Sequence, residues 1–165
     1  MKSNFEKKFS LRAYRPDDKA WVVDRHFEIY AQEFGWTEKF RTAVQKIVED
    51  FEKNFNPERE YFWIAEIKGQ RVGCVFLMEE SADTARIRLV LVEPEARGMG
   101  LGRALVDDCE SFAKSHAYKK IVLFTNSVLT SARKIYEAAG YKMIHQEKHS
   151  NYGPELMGQT WLLEL

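Results

Sequence analysis

Three alternating glycines flanked by arginines mark the stretch of the chain whose residue types are best suited to bind an anion. In order, this stretch consists of Arg97, Gly98, Met99, Gly100, Leu101, Gly102 and Arg103. Residues 87–92, which precede it, are rich in branched aliphatic side chains and predict a strand. After it, apolar residues recur at the spacing of a helix. The pattern therefore predicts a strand, a glycine-rich turn and a helix.

A glycine-rich turn that opens a helix can bind a phosphate or a diphosphate. The first N–H groups of a helix have no intrahelical partner, and the helix dipole makes that end partially positive. Glycines let the backbone approach such a ligand closely. The spacing here fits neither the dinucleotide fingerprint G-x-G-x-x-G nor the P-loop pattern. Arg97 and Arg103 flank the turn and can add positive charge.

Two blocks of sequence resemble the GNAT superfamily of N-acetyltransferases. Arg97, Gly100 and Gly102 match the defined positions of its [QR]-x-x-G-x-[GA] acetyl-CoA motif. Residues 132–141, Ala-Arg-Lys-Ile-Tyr-Glu-Ala-Ala-Gly-Tyr, resemble its A-x-x-x-Y-E-x-x-G-[FY] segment, in the family's order and spacing. Residues 152–161 resemble a subgroup often fused behind a MarR-type DNA-binding regulator, and we expect this chain to be a free-standing relative of that subgroup.

Composition favours one soluble domain without a nucleic-acid or membrane partner. The chain has 165 residues and a formal net charge of zero, whereas a generic nucleic-acid binder is usually basic. No apolar run approaches membrane-spanning length, and the first eight residues do not resemble a signal peptide. Cys74 and Cys109 fall in strand-like and helix-like stretches, which favours two buried free thiols in a reducing cytoplasm. We expect a single N-acetyltransferase domain over residues 1–165, with a core at 9–165.

Hydrophobic spacing and turn residues predict the order β, α, α, β, β, β, α, β, α, β, β, an α+β or mixed three-layer fold. The first helix carries an apolar stripe at Val23, Phe27, Tyr30 and Phe34. The resemblance to the GNAT fold implies a mixed twisted sheet, splayed between its fourth and fifth strands, with helices on both faces. The predicted strands cover residues 9–14, 61–68, 71–79, 87–92, 119–124, 141–146 and 159–165.

The same resemblance implies acetyl-CoA as co-substrate and direct transfer of its acetyl group to a primary amine. The glycine turn would bind the diphosphate through backbone N–H groups, and the pantetheine arm would pair with the backbone near Leu91 and Val92. Asn126 follows a strand and could bond the pantetheine amides or cap a helix. The residues expected to contact the cofactor are Leu91, Val92, Arg97, Gly98, Met99, Gly100, Leu101, Gly102, Arg103 and Asn126.

Proton transfer would need an acid for the leaving thiolate and a base for the amine. The resemblance places Tyr136 beside the thiolate, although a core tyrosine on an amphipathic helix would show the same pattern. Glu33 is the base we favour, because it follows the stripe of the first helix. Many relatives carry a glutamate on the central strand, where this chain has Arg86 and Arg88. Other candidates are a water chain, Glu79, Glu80, His145 and His149.

Three further expectations concern metals, partners and alternative functions. His145 and His149 lie in a strand and loop without a matching ligand set, so no metal site is predicted. In the resembled fold, terminal strands often pair between subunits, so a homodimer is possible. The rival hypothesis is a module that senses an acyl-CoA or another ligand without catalysis. The sequence does not identify the amine, and residues 34–36 are the first place to look for acceptor specificity.

Overall fold

A seven-stranded sheet forms the middle layer of the computed structural model, which describes residues 8–165. The absence of a signal peptide was expected from the first eight residues, of which seven lie outside the described range. The strand order is β1-β2-β3-β4-β5-β7-β6, and only the β4–β5 pair is parallel. The strands are β1 (Ser10–Ala13), β2 (Tyr61–Ile67), β3 (Gln70–Glu79), β4 (Thr84–Val92), β5 (Lys120–Asn126), β6 (Lys142–His149) and β7 (Leu156–Glu164).

Four helices cover the two faces of the sheet and create two separate cores. Helices α1 (Lys19–Phe34) and α2 (Glu38–Asn54) pack on one face, and α3 (Leu101–Ser115) and α4 (Thr130–Ala138) pack on the other. A mixed sheet between two helical layers is the three-layer fold that the sequence predicts. The last two strands differ from the prediction: β6 is longer and β7 begins three residues earlier, at Leu156.

Helix α1 buries part of the predicted stripe together with a neighbouring row of side chains. Val23 is buried, and Tyr30 and Phe34 pack against the same core, whereas Phe27 is only partly buried. The other buried residues are Val22, His26 and Ile29. The guanidinium of Arg41 on α2 lies 4.4 Å from the centre of the Phe27 ring, so this ring contacts a cation at the edge of the helix pair. The predicted stripe is therefore wrong at Phe27, and it omitted His26 because apolar periodicity does not reveal a buried histidine.

The sheet splays between β4 and β5, as the sequence resemblance implied. Their parallel pairing covers Thr84–Ile87 opposite Lys120–Leu123 and then ends. Just beyond this point, Leu89 has a φ of 58° and the β3–β4 register shifts between Cys74 and Phe76. A bulge of this kind bends the strand and leaves backbone groups unpaired in the ladder. A gap therefore opens between the second half of β4 and the second half of β5.

A buried carboxylate ties three parts of the first face together. Asp18 is fully buried and accepts hydrogen bonds from the guanidinium groups of Arg12 and Arg71 and from the backbone N–H of Arg15. Burial by itself would raise the pKa of Asp18, but these donors outweigh it and hold the pKa at about 2. The carboxylate therefore stays ionised and fixes β1, β3 and the start of α1 relative to one another.

Three of the expectations from sequence concern the cysteines, membrane-spanning helices and metal ligands. Cys74 and Cys109 are both free and buried, and burial raises the pKa of each thiol. No helix within residues 8–165 has the length and apolarity needed to cross a membrane. Within the same range, no group of three or more His, Cys, Asp or Glu side chains is arranged to hold a metal ion.

Candidate active site

The glycine turn leaves a row of backbone N–H groups at the start of α3. Gly100 precedes the helix with a φ of 82°, a left-handed conformation that favours glycine, and its carbonyl accepts the N–H of Ala104 at 3.0 Å. The N–H groups of Leu101, Gly102 and Arg103 come before that first helical bond and have no intrahelical acceptor. A Cβ at Gly102 would lie 2.8 Å from Cδ1 of Ile135, so glycine also lets α3 approach α4.

Two arginine–carboxylate pairs hold α1 against this turn. Arg25 binds Glu93 through two parallel hydrogen bonds of 2.6 and 2.7 Å, and Glu93 is almost fully buried just after β4. Arg97 binds the carboxylate of Glu33 at 2.7 Å, near the end of α1. The segment between β4 and the glycines is therefore fixed to the first helical layer at two points.

A cavity of about 600 Å³ opens along the turn, and we call it the glycine-turn cavity. Of the predicted contact residues, Val92, Arg97, Gly98, Gly100, Leu101, Gly102 and Arg103 line it. Leu91 and Met99 do not, since Leu91 is buried in the α1–α2 core and Met99 packs against the core of the other face. Helix α4, on which the sequence analysis placed Tyr136 near the thiolate, also supplies Thr130, Ser131, Lys134 and Ile135.

A second cavity of about 420 Å³, which we call the aromatic cavity, lies on the other side of the gap in the sheet. It is lined by residues of α1, α2 and α4, of the two splayed strands, of β7 and of the loop before β7. Five residues line both cavities, so the two adjoin in the gap: Tyr30, Val90, Leu129, Ala132 and Tyr136. The aromatic side chains of its wall are Tyr30, Trp36, Phe40, Phe124, Tyr136 and Tyr152.

Tyr136 is the ionisable group at the junction that can donate a proton to both cavities. It is the buried residue of α4, and burial raises its pKa well above the ordinary value of 10. Its hydroxyl has no hydrogen-bond partner among the described residues. Tyr30, by contrast, donates to the backbone carbonyl of Val90 at 3.4 Å. At neutral pH, Tyr136 is therefore a protonated donor without a protein acceptor.

The aromatic cavity has positive and neutral polar groups in its wall but no carboxylate from the described residues. Arg86 pairs with Glu80, whose carboxylate lies outside the lining. Arg88 makes no ion pair with a described residue, and its buried Nε has no hydrogen-bond partner. Burial lowers the pKa of His26 to about 4, and its Nδ1 lies 2.7 Å from the carbonyl of Val22. The imidazole is therefore neutral at pH 7.

None of the five predicted candidates for the base lines the aromatic cavity. Glu33 lines the glycine-turn cavity, paired with Arg97. Glu79 binds Arg59, and Glu80 binds Arg86. The two histidines are on β6, where His145 is exposed beside Glu147 and His149 reaches the end of β5.

Asn126 lines the aromatic cavity and not the glycine-turn cavity. Its Oδ1 lies 2.6 Å from Nε2 of His149, and the backbone N–H of Asn151 donates to Nδ1 of the same ring at 3.1 Å. These contacts assign the Nε2–H tautomer to His149 and leave the NH₂ of Asn126 free of any described partner. Its role as a cofactor ligand stays a prediction, and its position is on the opposite side of the gap.

Sequence reasoning pointed to residues 34–36, which include Trp36, but it missed the bulge at Leu89 and the contribution of Phe40 and Tyr152 to the same wall. No local sequence pattern indicates this bulge, because most of the residues around Leu89 favour a regular strand. The wall joins the α1–α2 turn to the loop before β7, with ring centres of Trp36 and Tyr152 5.0 Å apart. Arg86 and Arg88 are two residues apart in a strand, and this spacing is the sequence signal that places both side chains on the same face of the sheet.

Comparisons with known proteins agree with this geometry. The family model described as "Acetyltransferase (GNAT) domain" matches residues 19–154. Human N-acetyltransferase 8B is 32% identical over 117 residues, 67% of this chain and 52% of its own. N-acetylaspartate synthetase from Danio rerio is 34% identical over 89 residues, 53% of this chain and 32% of its own. The chain thus spans about a third to a half of the length of these two relatives.

Solved structures share the fold over nearly the whole chain. A putative acetyltransferase from Salmonella typhimurium, solved with its cofactor acetyl-CoA, superposes with a TM-score of 0.74 at 16% identity. The match covers 96% of this chain and 94% of that one, and at this identity it establishes the fold alone. Because the family model spans most of the chain, including both motif blocks and the splayed strands, the chain belongs to the GNAT acetyltransferase family.

Proposed function

We propose that the chain is an acetyl-CoA-dependent N-acetyltransferase that transfers an acetyl group to a primary amine by direct attack in a ternary complex. The observation that carries the proposal is the meeting of two cavities at Tyr136. One cavity has the features of a diphosphate site, and the other is a separate chamber for a second substrate. Direct transfer needs this arrangement, because both substrates must be present at the same time.

The residues of the glycine-turn cavity fit coenzyme A. The free N–H groups at the start of α3 suit the diphosphate, with Arg97 and Arg103 beside them. The unpaired edge of β4 beyond Ile87 suits the amide groups of the pantetheine arm, which need backbone partners. The Glu33 carboxylate is the acidic group of the lining, and Arg97 neutralises it. We propose that Glu33 positions Arg97 and does not act as the base.

Acetyl-CoA supplies the acetyl thioester, and the chain's residues position the amine and stabilise charge. Backbone N–H groups at the bulge, around Leu89 and Val90, are candidates to donate to the carbonyl oxygen as its negative charge grows. The amine nitrogen forms the new C–N bond as the C–S bond breaks. Tyr136, kept protonated by its raised pKa, donates its hydroxyl hydrogen toward the departing sulfur. The ammonium proton of the amine leaves to water before the attack, and the second proton that the nitrogen loses as the amide forms returns through water to the Tyr136 oxygen.

Location and assembly belong to the same proposal. Two buried free cysteines support a cytoplasmic protein. The edge strand β6 exposes Met143 and Ile144, with relative exposures of 43% and 58%, which supports pairing of two subunits at this edge. A zero net charge supports a small amine, and not a nucleic acid or a membrane surface, as the partner.

A thiol-release assay with acetyl-CoA and a panel of amino acids, polyamines and lysine peptides tests the function. We expect amine-dependent release of coenzyme A with at least one member of the panel, and micromolar to millimolar binding of coenzyme A by calorimetry. Binding without turnover on any amine would support the acyl-CoA sensor instead. Failure to bind coenzyme A would contradict both interpretations.

A further inference from the structure

Most of the buried polar side-chain atoms that lack a hydrogen-bond partner among the described residues belong to the wall of the aromatic cavity. Among the described residues, five such atoms occur, and three of them belong to side chains of this wall: His26 Nε2, Trp36 Nε1 and Arg88 Nε. Buried polar atoms are nearly always paired, and each exception calls for an explanation. Two of the three are N–H donors, so what is missing from the cavity is an acceptor.

Arg88 is the strongest of these donors. Its side chain lines the cavity from β4, two residues from Arg86, which already binds Glu80. The charged and ionisable groups around Arg88 are Arg86, Glu80, Tyr152 and Asp50, and none forms an ion pair with it. Burial and the nearby Arg86 lower the pKa of Arg88, which shows that the charge is poorly compensated. An unpaired, partly buried guanidinium is costly unless a ligand completes it.

We propose that Arg88 binds a carboxylate of the amine substrate, so that the acceptor is an amino acid or a similar amine that carries a carboxylate near its nitrogen. This inference rests on the proposed acetyltransferase function and names its substrate class. The guanidinium presents a fork of N–H donors that matches a carboxylate. The NH₂ of Asn126, held in place by His149, is a further donor on the same cavity wall.

The same wall disfavours polycationic amines. A polyamine or a lysine of a basic peptide would bring extra positive charge into a cavity that holds two arginines and, from the described residues, no carboxylate. The positive surroundings also favour the neutral form of the attacking amine, because a nearby cation lowers the pKa of an ammonium group. Arg88, whose charge no described carboxylate pairs, thus supplies by its field part of what a carboxylate base supplies in other enzymes.

The remainder of the cavity suits an apolar side chain on that amino acid. Trp36 and Phe40 meet edge to face at 4.7 Å between ring centres, and Tyr152 lies against both, at 5.0 and 4.9 Å. Phe124 contributes a partly exposed ring from β5. An aliphatic or aromatic substituent would bury apolar area against these rings, whereas glycine would leave the space to water.

Matched amines that differ by one group test the proposal on the wild-type protein. The thiol-release assay compares L-phenylalanine, L-phenylalaninamide, 2-phenylethylamine, glycine and spermidine. We expect kcat/KM to be about 10- to 100-fold higher for phenylalanine than for 2-phenylethylamine and phenylalaninamide, as for the loss of one charged hydrogen-bonded pair. Glycine and spermidine should be poorer acceptors than phenylalanine.

Two variants assign the preference to Arg88. Arg88→Met should reduce the ratio between phenylalanine and 2-phenylethylamine to about one, while the affinity for coenzyme A changes less than about twofold. Arg86→Met is the matched control, because it removes a neighbouring cation whose guanidinium already binds Glu80, and the ratio should largely persist. Circular dichroism and coenzyme A binding show whether each variant is folded.

The outcomes separate this inference from the function on which it rests. If no amine supports coenzyme A release, the acetyltransferase proposal fails. If amines are acetylated but 2-phenylethylamine or spermidine equals or exceeds phenylalanine, the carboxylate site is contradicted and the enzyme remains. If phenylalanine is preferred but Arg88→Met retains the preference, Arg88 is not the group that recognises it.

Discussion

The two cavities of this protein are built in opposite ways. The glycine-turn cavity is lined mainly by two contiguous stretches, the turn around Gly100 and the region that begins α4, and its free helical N–H groups come from the turn. The aromatic cavity is assembled from side chains of α1, α2, β4, β5, α4, β7 and the loop before β7, which are far apart in sequence. Backbone donors can bind a diphosphate whatever the neighbouring side chains are, whereas side chains can be changed one at a time to select an acceptor. We therefore refer to the glycine-turn cavity as the constant half of the cleft, because its proposed ligand does not change, and to the aromatic cavity as the variable half.

The largest effect is expected where the two halves meet. Tyr136→Phe should lower kcat by about 10²- to 10⁴-fold, because it removes the proton donor for the leaving thiolate, and coenzyme A should still bind. Steady-state kinetics and calorimetry measure the two quantities separately. Tyr141→Phe is the control, since its buried hydroxyl also lacks a partner but lines neither cavity. Equal activity of the Tyr136 variant and the wild type would remove Tyr136 from the chemistry.

A substitution outside both halves provides a reference for stability. Asp18→Asn should lower the free energy of unfolding by about 3 kcal/mol, because it removes the carboxylate that compensates Arg12 and Arg71. The pKa of Asp18 is about 2 in the folded chain, below the ordinary 3.8. Its contribution is therefore complete above about pH 4 and is lost as pH falls toward 2.

Denaturant unfolding between pH 2 and pH 7 checks this expectation. The wild type should lose stability relative to Asp18→Asn over the acidic range, and the difference between the two should be constant at neutral pH. A difference that grows between pH 5 and pH 7 would point to another titrating group. Affinities for coenzyme A and for the amine should be unchanged once the variant is folded.

The constant half can be disrupted through its backbone alone. Gly100→Val should weaken coenzyme A binding by about 10- to 100-fold, since a branched residue strains a φ of 82° and shifts the free N–H groups. Gly69→Val is a matched control, because Gly69 has a φ of 78° in the β2–β3 hairpin with equally open space around it. Both variants should lose similar stability. Loss of coenzyme A binding in both would mean that the effect is unfolding and not a local one.

The smallest effect distinguishes the two possible roles of Asn126. Asn126→Ala should lower kcat/KM for the amine by about fivefold, the value of one hydrogen bond, and leave the affinity for coenzyme A nearly unchanged. This follows from its position in the aromatic cavity. A weakened affinity for coenzyme A with an unchanged amine dependence would instead support the sequence-based role as a pantetheine ligand.

The sequence predicted the constant half far better than the variable half, for a physical reason. Strand, glycines and helix follow one another in the chain, so their spacing encodes the turn directly, and the order of elements predicted the three-layer fold. The splay of the sheet was implied by the resemblance to the GNAT family. The wall formed by Trp36, Phe40 and Tyr152 depends on packing between distant segments. The placement of Glu33 opposite Arg97 depends on the angle between α1 and the turn, which periodicity does not specify.

A crystal structure with coenzyme A bound would test the central claim most directly. The diphosphate oxygens should lie within about 3 Å of backbone nitrogens between Gly98 and Arg103, and the sulfur should reach the Tyr136 hydroxyl at the junction of the two cavities. The aromatic cavity should remain open for an amine. A diphosphate bound away from the turn, or a sulfur directed away from Tyr136, would contradict the account.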